Sequence, residues 1–334
     1  MRSWTRLRSP GRASLARRAA PARARRTAAA LLGAALALSG CGNYSTEDLR
    51  FLAALPQRED LAFAVPSAPN GALSACPPAN ASVWLWAKPV SDQINGGVDF
   101  LLSLVDVVRS ISPTWRADDR RVWGPFPSKD HPGREIEVVM DRSYPAELGG
   151  RARYSYAFLA RVTGTTDFTP LVGGAFDGGS ASRGRGVVVL DLGAMKAVGM
   201  NDGTAAGTMQ IGYDRASDPA TIQLALASDA FGAVQFGYRY AGYAAGGGVF
   251  DFAFRDANAT LFYVSTGFDA RGAGRAAVAF QTAGGATGGF RQCWAANACL
   301  VYVLDPANVS CPQADQPCSY GVETDCPPVP ASPF

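Results

Sequence analysis

The 334-residue chain has a single histidine, His131, and lacks the common sequence motifs of catalysis. It contains no GxSxG, no HExxH, no Walker A sequence and no GxGxxG placed between a strand and a helix. A triad that needs histidine must therefore use His131, which lies in the polar stretch SKDHPG, typical of an exposed turn. Asp118 and Asp119 beside two arginines could bind a polar ligand or a metal, but local charge pairing at the surface is the interpretation that we favour. We expect a non-enzymatic protein with no catalytic residue, no metal and no cofactor.

A basic excess is also absent once the first residues are set apart. The chain carries 31 Lys and Arg against 28 Asp and Glu, but residues 1–26 hold nine of the arginines and no acid. The rest has 22 basic and 28 acidic residues, a net charge of −6. The apparent basicity belongs to the leader, so we predict no nucleic-acid binding.

The first 40 residues have the pattern of a secretion signal. A basic start is followed by an apolar run over residues 28–38, which is shorter than the ~20 residues that a membrane-spanning helix needs. The paired arginines at 17–18 and 25–26 leave both the general secretory route and twin-arginine export open. A start codon placed too early would also explain the long basic leader.

The signal ends in Leu38-Ser39-Gly40-Cys41, which resembles the lipobox of bacterial lipoproteins. The resemblance implies that Cys41 is diacylated, with chains such as palmitate, and becomes the first residue of the mature protein. Two or three acyl chains give durable membrane anchoring. Gly42, where an aspartate would imply retention in the inner membrane, implies an outer-membrane lipoprotein facing the periplasm, with exposure at the cell surface left open. The alternative is an ordinary signal peptide with a cysteine at this position by chance.

The remaining cysteines are even in number, as expected in an oxidising compartment. They are Cys76, Cys293, Cys299, Cys311, Cys318 and Cys326. We predict three disulfides, with the pairing open. A bridge between Cys293 and Cys299 could close a short loop, and Cys76 could tie the start of the domain to its end. Zinc binding is the rival interpretation, but CxxC pairs are absent.

The mature chain divides into three parts. Residues 41–80 form a lipidated tether with a short helix near 45–55, and residues 305–334 form a tail rich in proline and cysteine. The domain between them, residues 81–304, begins with a predicted strand at 83–87 and an amphipathic helix at about 91–111. Residues 114–133 are polar, which indicates irregular structure. From Arg134 onward the apolar positions follow a period of two, separated by glycine-rich turns.

These strands predict a mainly β fold, a single antiparallel meander sheet of about 10–12 strands. So large a sheet must curl or close, so we expect a half-barrel or barrel-like shape packed on the long helix. An outer-membrane barrel remains an alternative, because period two does not say which face points inward.

A lipidated chain with a helix before a long antiparallel meander resembles, in outline, the half-barrel carriers of bacterial envelopes that receive lipids or lipoproteins. The resemblance rests on the element order and the lipobox alone, and it implies a hydrophobic ligand held inside the sheet. The aromatic positions of the strands could line such a cavity together with the helix. The residues are Phe158, Phe236, Tyr238, Phe252, Leu101 and Val105. The sequence thus predicts an envelope lipoprotein that binds a hydrophobic small molecule or an envelope protein; the alternative is an interaction protein with a filled core and no ligand.

Overall fold

The computed structural model of the chain describes residues 44–62, 76, 79–178, 184–201, 206–228, 235–256, 258–309 and 318–334. The predicted signal, Cys41 and Cys311 lie outside these residues. No helix in the described ranges combines the length and the apolar character that crossing a membrane requires.

The described residues form one antiparallel meander sheet of fifteen strands, each paired only with its neighbours along the chain. The strands are β1 Trp115–Arg116, β2 Arg120–Pro127, β3 Arg134–Ser143, β4 Arg153–Val162, β5 Thr169–Gly178, β6 Gly184–Asp191, β7 Gly207–Asp214, β8 Ala220–Ser228, β9 Gln235–Gly242, β10 Gly248–Arg255, β11 Leu261–Phe268, β12 Gly274–Gln281, β13 Thr287–Trp294, β14 Leu300–Leu304 and β15 Ser319–Tyr320. The antiparallel meander is confirmed. The sheet is not closed: its edges are β1 and β15, each two residues long, which leaves little unpaired backbone.

The sheet has more strands than the ten to twelve predicted, because polar segments that were expected to be irregular form strands. The stretch 114–133, expected to be irregular, contains β1 and β2, and the tail supplies β15. In β2 the charged Arg121 is only 4% exposed and Trp123 is fully buried. A buried ion pair (below) compensates Arg121, and hydropathy alone does not reveal such a compensation.

Within the described ranges, four α-helices accompany the sheet: α1 Thr46–Ala53, α2 Arg58–Leu61, α3 Ser82–Arg109 and α4 Leu192–Ala197. The predicted helix near 45–55 is confirmed as α1, which Ser45 caps in a reciprocal capping box with Asp48.

The strand predicted at 83–87 is wrong, because these residues open α3, a helix of 28 residues. Tertiary contacts fix the helical state. The buried side chain of Gln292 on β13 accepts the Val83 N–H at 2.9 Å and donates to the Ser82 hydroxyl at 2.8 Å. The Trp86 ring packs edge-on against Phe290, with 5.9 Å between the ring centroids. The centroids of two further phenylalanine rings lie 6.2 and 6.4 Å from that of Trp86. These contacts outweigh the β propensity of the run VWLWA, since intrinsic propensity is a weak bias.

A buried ion pair ties α1 to the first strands. Asp48 is fully buried and accepts hydrogen bonds from Arg121 Nε at 2.6 Å, Arg116 Nε at 3.1 Å and the Ser45 N–H at 2.9 Å. Burial alone would raise the pKa of Asp48, but the hydrogen bonds from Ser45, Arg121 and Arg116 outweigh it and hold this pKa below its usual value. Asp48 therefore stays ionised, and losing either partner would leave an uncompensated buried charge.

Disulfides attach both ends of the domain to the sheet. Cys76 bonds Cys299 across 223 residues, as the tether-to-end pairing predicted, and Cys293 bonds Cys326 in the tail. Cys318 is also disulfide-bonded. A bridge between Cys293 and Cys299 is therefore excluded. Cys293 lies within β13, whereas Cys299 lies beyond that strand, where it forms an isolated β-bridge with Asn80 of the tether.

The two faces of the sheet differ in side-chain size. One face, here the aromatic face, carries large buried rings on most strands from β4 to β13. They are Tyr154, Tyr156, Phe158, Phe176, Tyr213, Tyr238, Tyr240, Phe250, Phe252, Phe262, Phe268, Phe290 and Trp294. The opposite face, here the small-residue face, carries alanines and glycines at many positions of its central strands, as at Ala175, Gly212, Ala225, Gly237, Ala253, Ala277 and Ala279. Successive side chains of a strand point to opposite faces, so each strand contributes to both.

Rings of the aromatic face lie directly on glycines of neighbouring strands. Tyr213 on β7 is paired with Gly186 on β6, and a Cβ added at Gly186 would lie 2.4 Å from the tyrosine Oη. Tyr156 and Gly174 repeat the arrangement at 2.4 Å. Only glycine leaves room for a ring to lie flat across the adjacent strand.

Gly186→Ala tests this packing, with Gly212→Ala on the adjacent strand as the matched control. The first change forces a methyl group into the Tyr213 ring, and we expect it to lower the free energy of unfolding by about 1–3 kcal/mol. A Cβ at Gly212, on the small-residue face, meets nothing within 4 Å, so that variant should stay within about 0.5 kcal/mol of wild type. Urea unfolding with the disulfides intact measures both, and equal effects would contradict the packing described.

Candidate binding trough on the small-residue face

Three of the six residues predicted to line an internal cavity have described side chains, and all three lie on the aromatic face. Phe158, Tyr238 and Phe252 are 2–3% exposed and belong to one hydrophobic cluster, which also includes Val98 and Leu102 of α3. The side chains of Leu101, Val105 and Phe236 are outside the described part of the structure. A cavity between these groups stays a prediction.

Three hydroxyl groups on the aromatic face are buried with no hydrogen-bond partner among the described residues, those of Tyr156, Tyr213 and Thr266. Burial, reinforced by the neighbouring Tyr213, raises the pKa of Tyr156 well above its usual value, and burial likewise raises that of Tyr213. Both phenols are therefore protonated donors at neutral pH, placed where an acceptor would satisfy them.

The polar residues considered for catalysis are not brought together. Asp118 and Asp119 precede β2 and His131 follows it, so they lie at opposite ends of an eight-residue strand, roughly 25 Å apart. Among the described residues, no three or more His, Cys, Asp or Glu side chains form a group that could hold a metal ion.

An open groove of about 830 Å³ runs across the small-residue face from β7 to β12. Its floor is built of small residues in register on adjacent strands, since Ala225 pairs with Gly237 and Gly237 with Ala253. Gln210 lies toward one end, and Tyr263, with 53% of its surface exposed, toward the other. Every strand under the floor is paired on both sides, so the floor is a fixed hydrogen-bonded surface.

A polar row borders this floor. Gln223, Arg239, Asp251 and Ser265 face one another on four consecutive strands. Arg239 donates to the Asp251 carboxylate at 3.4 Å, and the Ser265 hydroxyl donates to it at 2.7 Å. The groove therefore offers hydrogen-bonding groups along one side of an apolar floor.

A second groove of about 580 Å³ adjoins the first at Gly212 and Gln223 and extends toward β4. Together the two grooves form what we call the trough. In the second groove Arg153 donates to Asp177 at 2.6 and 2.8 Å, and this hydrogen bonding holds the pKa of Asp177 below its usual range. The trough contains three arginines and three aspartates and so has no net charge: Arg153, Arg185, Arg239, Asp177, Asp214 and Asp251.

The trough was not predicted from the sequence. The period of two predicts two faces, and the large aromatic residues favour the aromatic face as the ligand-binding one. The usable signal was the run of small residues at the alternate positions, such as Ala253 between Phe252 and Phe254. Only the strand register shows that these positions align on neighbouring strands into one continuous surface.

Comparisons with known proteins assign this chain to no family. No protein-family model matches the chain, no curated protein is significantly similar to it, and no solved structure matches its fold.

Proposed function

We propose that the protein is a non-enzymatic lipoprotein of the bacterial envelope whose β domain is a binding module. One observation carries the proposal: an open trough crosses the small-residue face over a floor of alanine and glycine. A preformed groove with an apolar floor and a few fixed polar groups is a usual form of a binding site. The trough is long and shallow, which fits an extended ligand better than a compact one.

The aromatic face, in this proposal, is the structural side of the module. The sheet curves around α3, and the buried rings fill the space between them. The Trp86 contacts and the Gln292 hydrogen bonds support this at the start of the helix. Near its end, Trp123 Nε1 donates to the carbonyl of Ile111 at 2.9 Å, and Arg109 donates to the carbonyl of Pro56 at 2.9 Å.

Acyl chains on Cys41 would anchor this module in the outer membrane, facing the periplasm. The lipobox at residues 38–41 supports the anchor, and the disulfides support an oxidising compartment. The partner would be another component of the envelope.

A second candidate, the carrier of a hydrophobic ligand, is favoured by the Tyr156 and Tyr213 hydroxyls. They are buried donors without acceptors, next to aromatic side chains. A ligand with an apolar body and an acceptor group, held between the aromatic face and α3, would satisfy them.

Replacing Cys41 tests the anchor. In cells supplied with labelled palmitate, we expect the wild-type chain to incorporate label and to sediment with membranes, and Cys41→Ala to do neither, because the thiol that carries the lipid is gone. Gly42→Ala, which keeps the thiol, is the matched control and should behave as wild type. Membrane-bound, labelled Cys41→Ala protein would refute a lipid anchor at this residue.

Native mass spectrometry on the purified full-length protein separates the two candidates. If the aromatic face is a filled core, the mass should equal that of the acylated polypeptide with its disulfides, and solvent extraction should release no further molecule. A lipid present at one equivalent, and lost in a Tyr156→Phe, Tyr213→Phe double variant, would establish the carrier instead.

A further inference from the structure

The end of the chain already occupies part of the small-residue face. Residues 318–334, here the strap, are held to β13 by the Cys326–Cys293 disulfide. Glu323 pairs with Arg275 at 3.3 Å and with Arg291 at 3.4 Å. The side chain of Val329 then lies over Gly267 on β11, 2.8 Å from the position of a Cβ there.

The strap reaches the trough and borders it. The Tyr243 hydroxyl donates to the Ala331 carbonyl at 2.6 Å, and the Arg239 guanidinium lies 4.7 Å from the centre of the Phe334 ring. Ser332 and Phe334 line the larger groove. The strap thus runs across the strands from β13 toward β9, and the open trough continues in the same direction.

The part of the strap that lies closest to the trough has a distinctive sequence. Residues 327–334 read PPVPASPF, with no charged side chain and with prolines at 327, 328, 330 and 333, three of which are spaced three residues apart. A proline at every third position is typical of polyproline II, which has three residues per turn. Residues 327–334 form no helix or strand.

The open part of the trough continues from Arg239, where the Phe334 ring lies. Arg239 faces Gln223, Gln223 faces Gly212, Gly212 faces Val187 and Val187 faces Ala175, from β9 to β5. At ~4.8 Å between strands this row is roughly 19 Å long, the length of about six residues of polyproline II.

Charge and hydrogen bonding define the occupant further. The trough has no net charge, so it exerts no general attraction on a polyanion or a polycation. The side chains of Gln210, Gln223 and Tyr263 are exposed donors. Polyproline II makes no internal hydrogen bonds, so its carbonyl groups are free to accept from such donors, as the Ala331 carbonyl accepts from Tyr243.

We infer that the open trough binds an extended, uncharged, proline-rich polypeptide segment, laid across the strands as a continuation of the strap. This inference rests on the proposed binding function and specifies its ligand. The strap is the observation that favours a polypeptide over a linear sugar chain, since it shows polypeptide side chains and carbonyls fitted to this face. The partner is therefore an envelope protein with such a segment.

The test uses the fluorescein-labelled peptide PPVPASPF as probe and the full-length protein purified in detergent, with fluorescence anisotropy as the readout. The peptide should bind the open trough of the wild-type protein, because the strap covers only the part of the face from β13 toward β9. Ala225→Trp puts a ring on the trough floor and should weaken binding at least tenfold. Thr287→Trp makes the same change at an exposed position of β13 that does not line the trough, and should leave binding unchanged.

Each other outcome overturns the inference in a distinct way. Equal binding to both tryptophan variants would place the peptide outside the trough. A labelled linear oligosaccharide that binds where the peptide does not, and is lost in Ala225→Trp, would retain the binding module but make its ligand a glycan. If neither probe binds, the binding module fails as well, while the Cys41 anchor is judged by its own experiment.

Discussion

The contact between an aromatic ring and a glycine on the adjacent strand is the constraint on which this sheet depends. Tyr213 lies on Gly186, and Trp294 lies on Gly274, with 2.4 and 2.5 Å to the position of a Cβ. A strand that slipped by one residue would turn its rings to the other face. Larger side chains would then replace its glycines under the rings of the neighbouring strands. These contacts therefore select the register of a long meander whose hydrogen bonds alone would tolerate slippage.

Because the rings gather on one face, the other face is free for a different use. Its alanines and glycines are too small to form a core, and they leave a trough over paired strands. The two ends of the described chain are attached to opposite faces of the sheet. Asp48 joins α1 to Arg121 on the aromatic face, and Cys326 joins the strap to the small-residue face. The same division of the sheet thus explains the core, the strap and the proposed binding surface.

The sequence predicted the features that depend on local pattern. The alternation from Arg134 onward gave the antiparallel meander, and the capping residues gave α1. It failed where distant partners decide the structure: the run at 83–87 is helical because Gln292 and three phenylalanines contact it, and Arg121 lies in a strand because Asp48 neutralises it. The trough could not be predicted, because it exists only once the register of the strands from β4 to β12 aligns their small residues.

Cysteine labelling at two adjacent alanines of β12 tests the division of the sheet most directly. Ala276 is 6% exposed on the aromatic face, and Ala277 is exposed in the trough. The account predicts that a thiol reagent modifies Ala277→Cys readily in the native protein and modifies Ala276→Cys only when the protein unfolds. Equal reactivity in the native state, or a faster reaction at position 276, would contradict the assignment of the two faces.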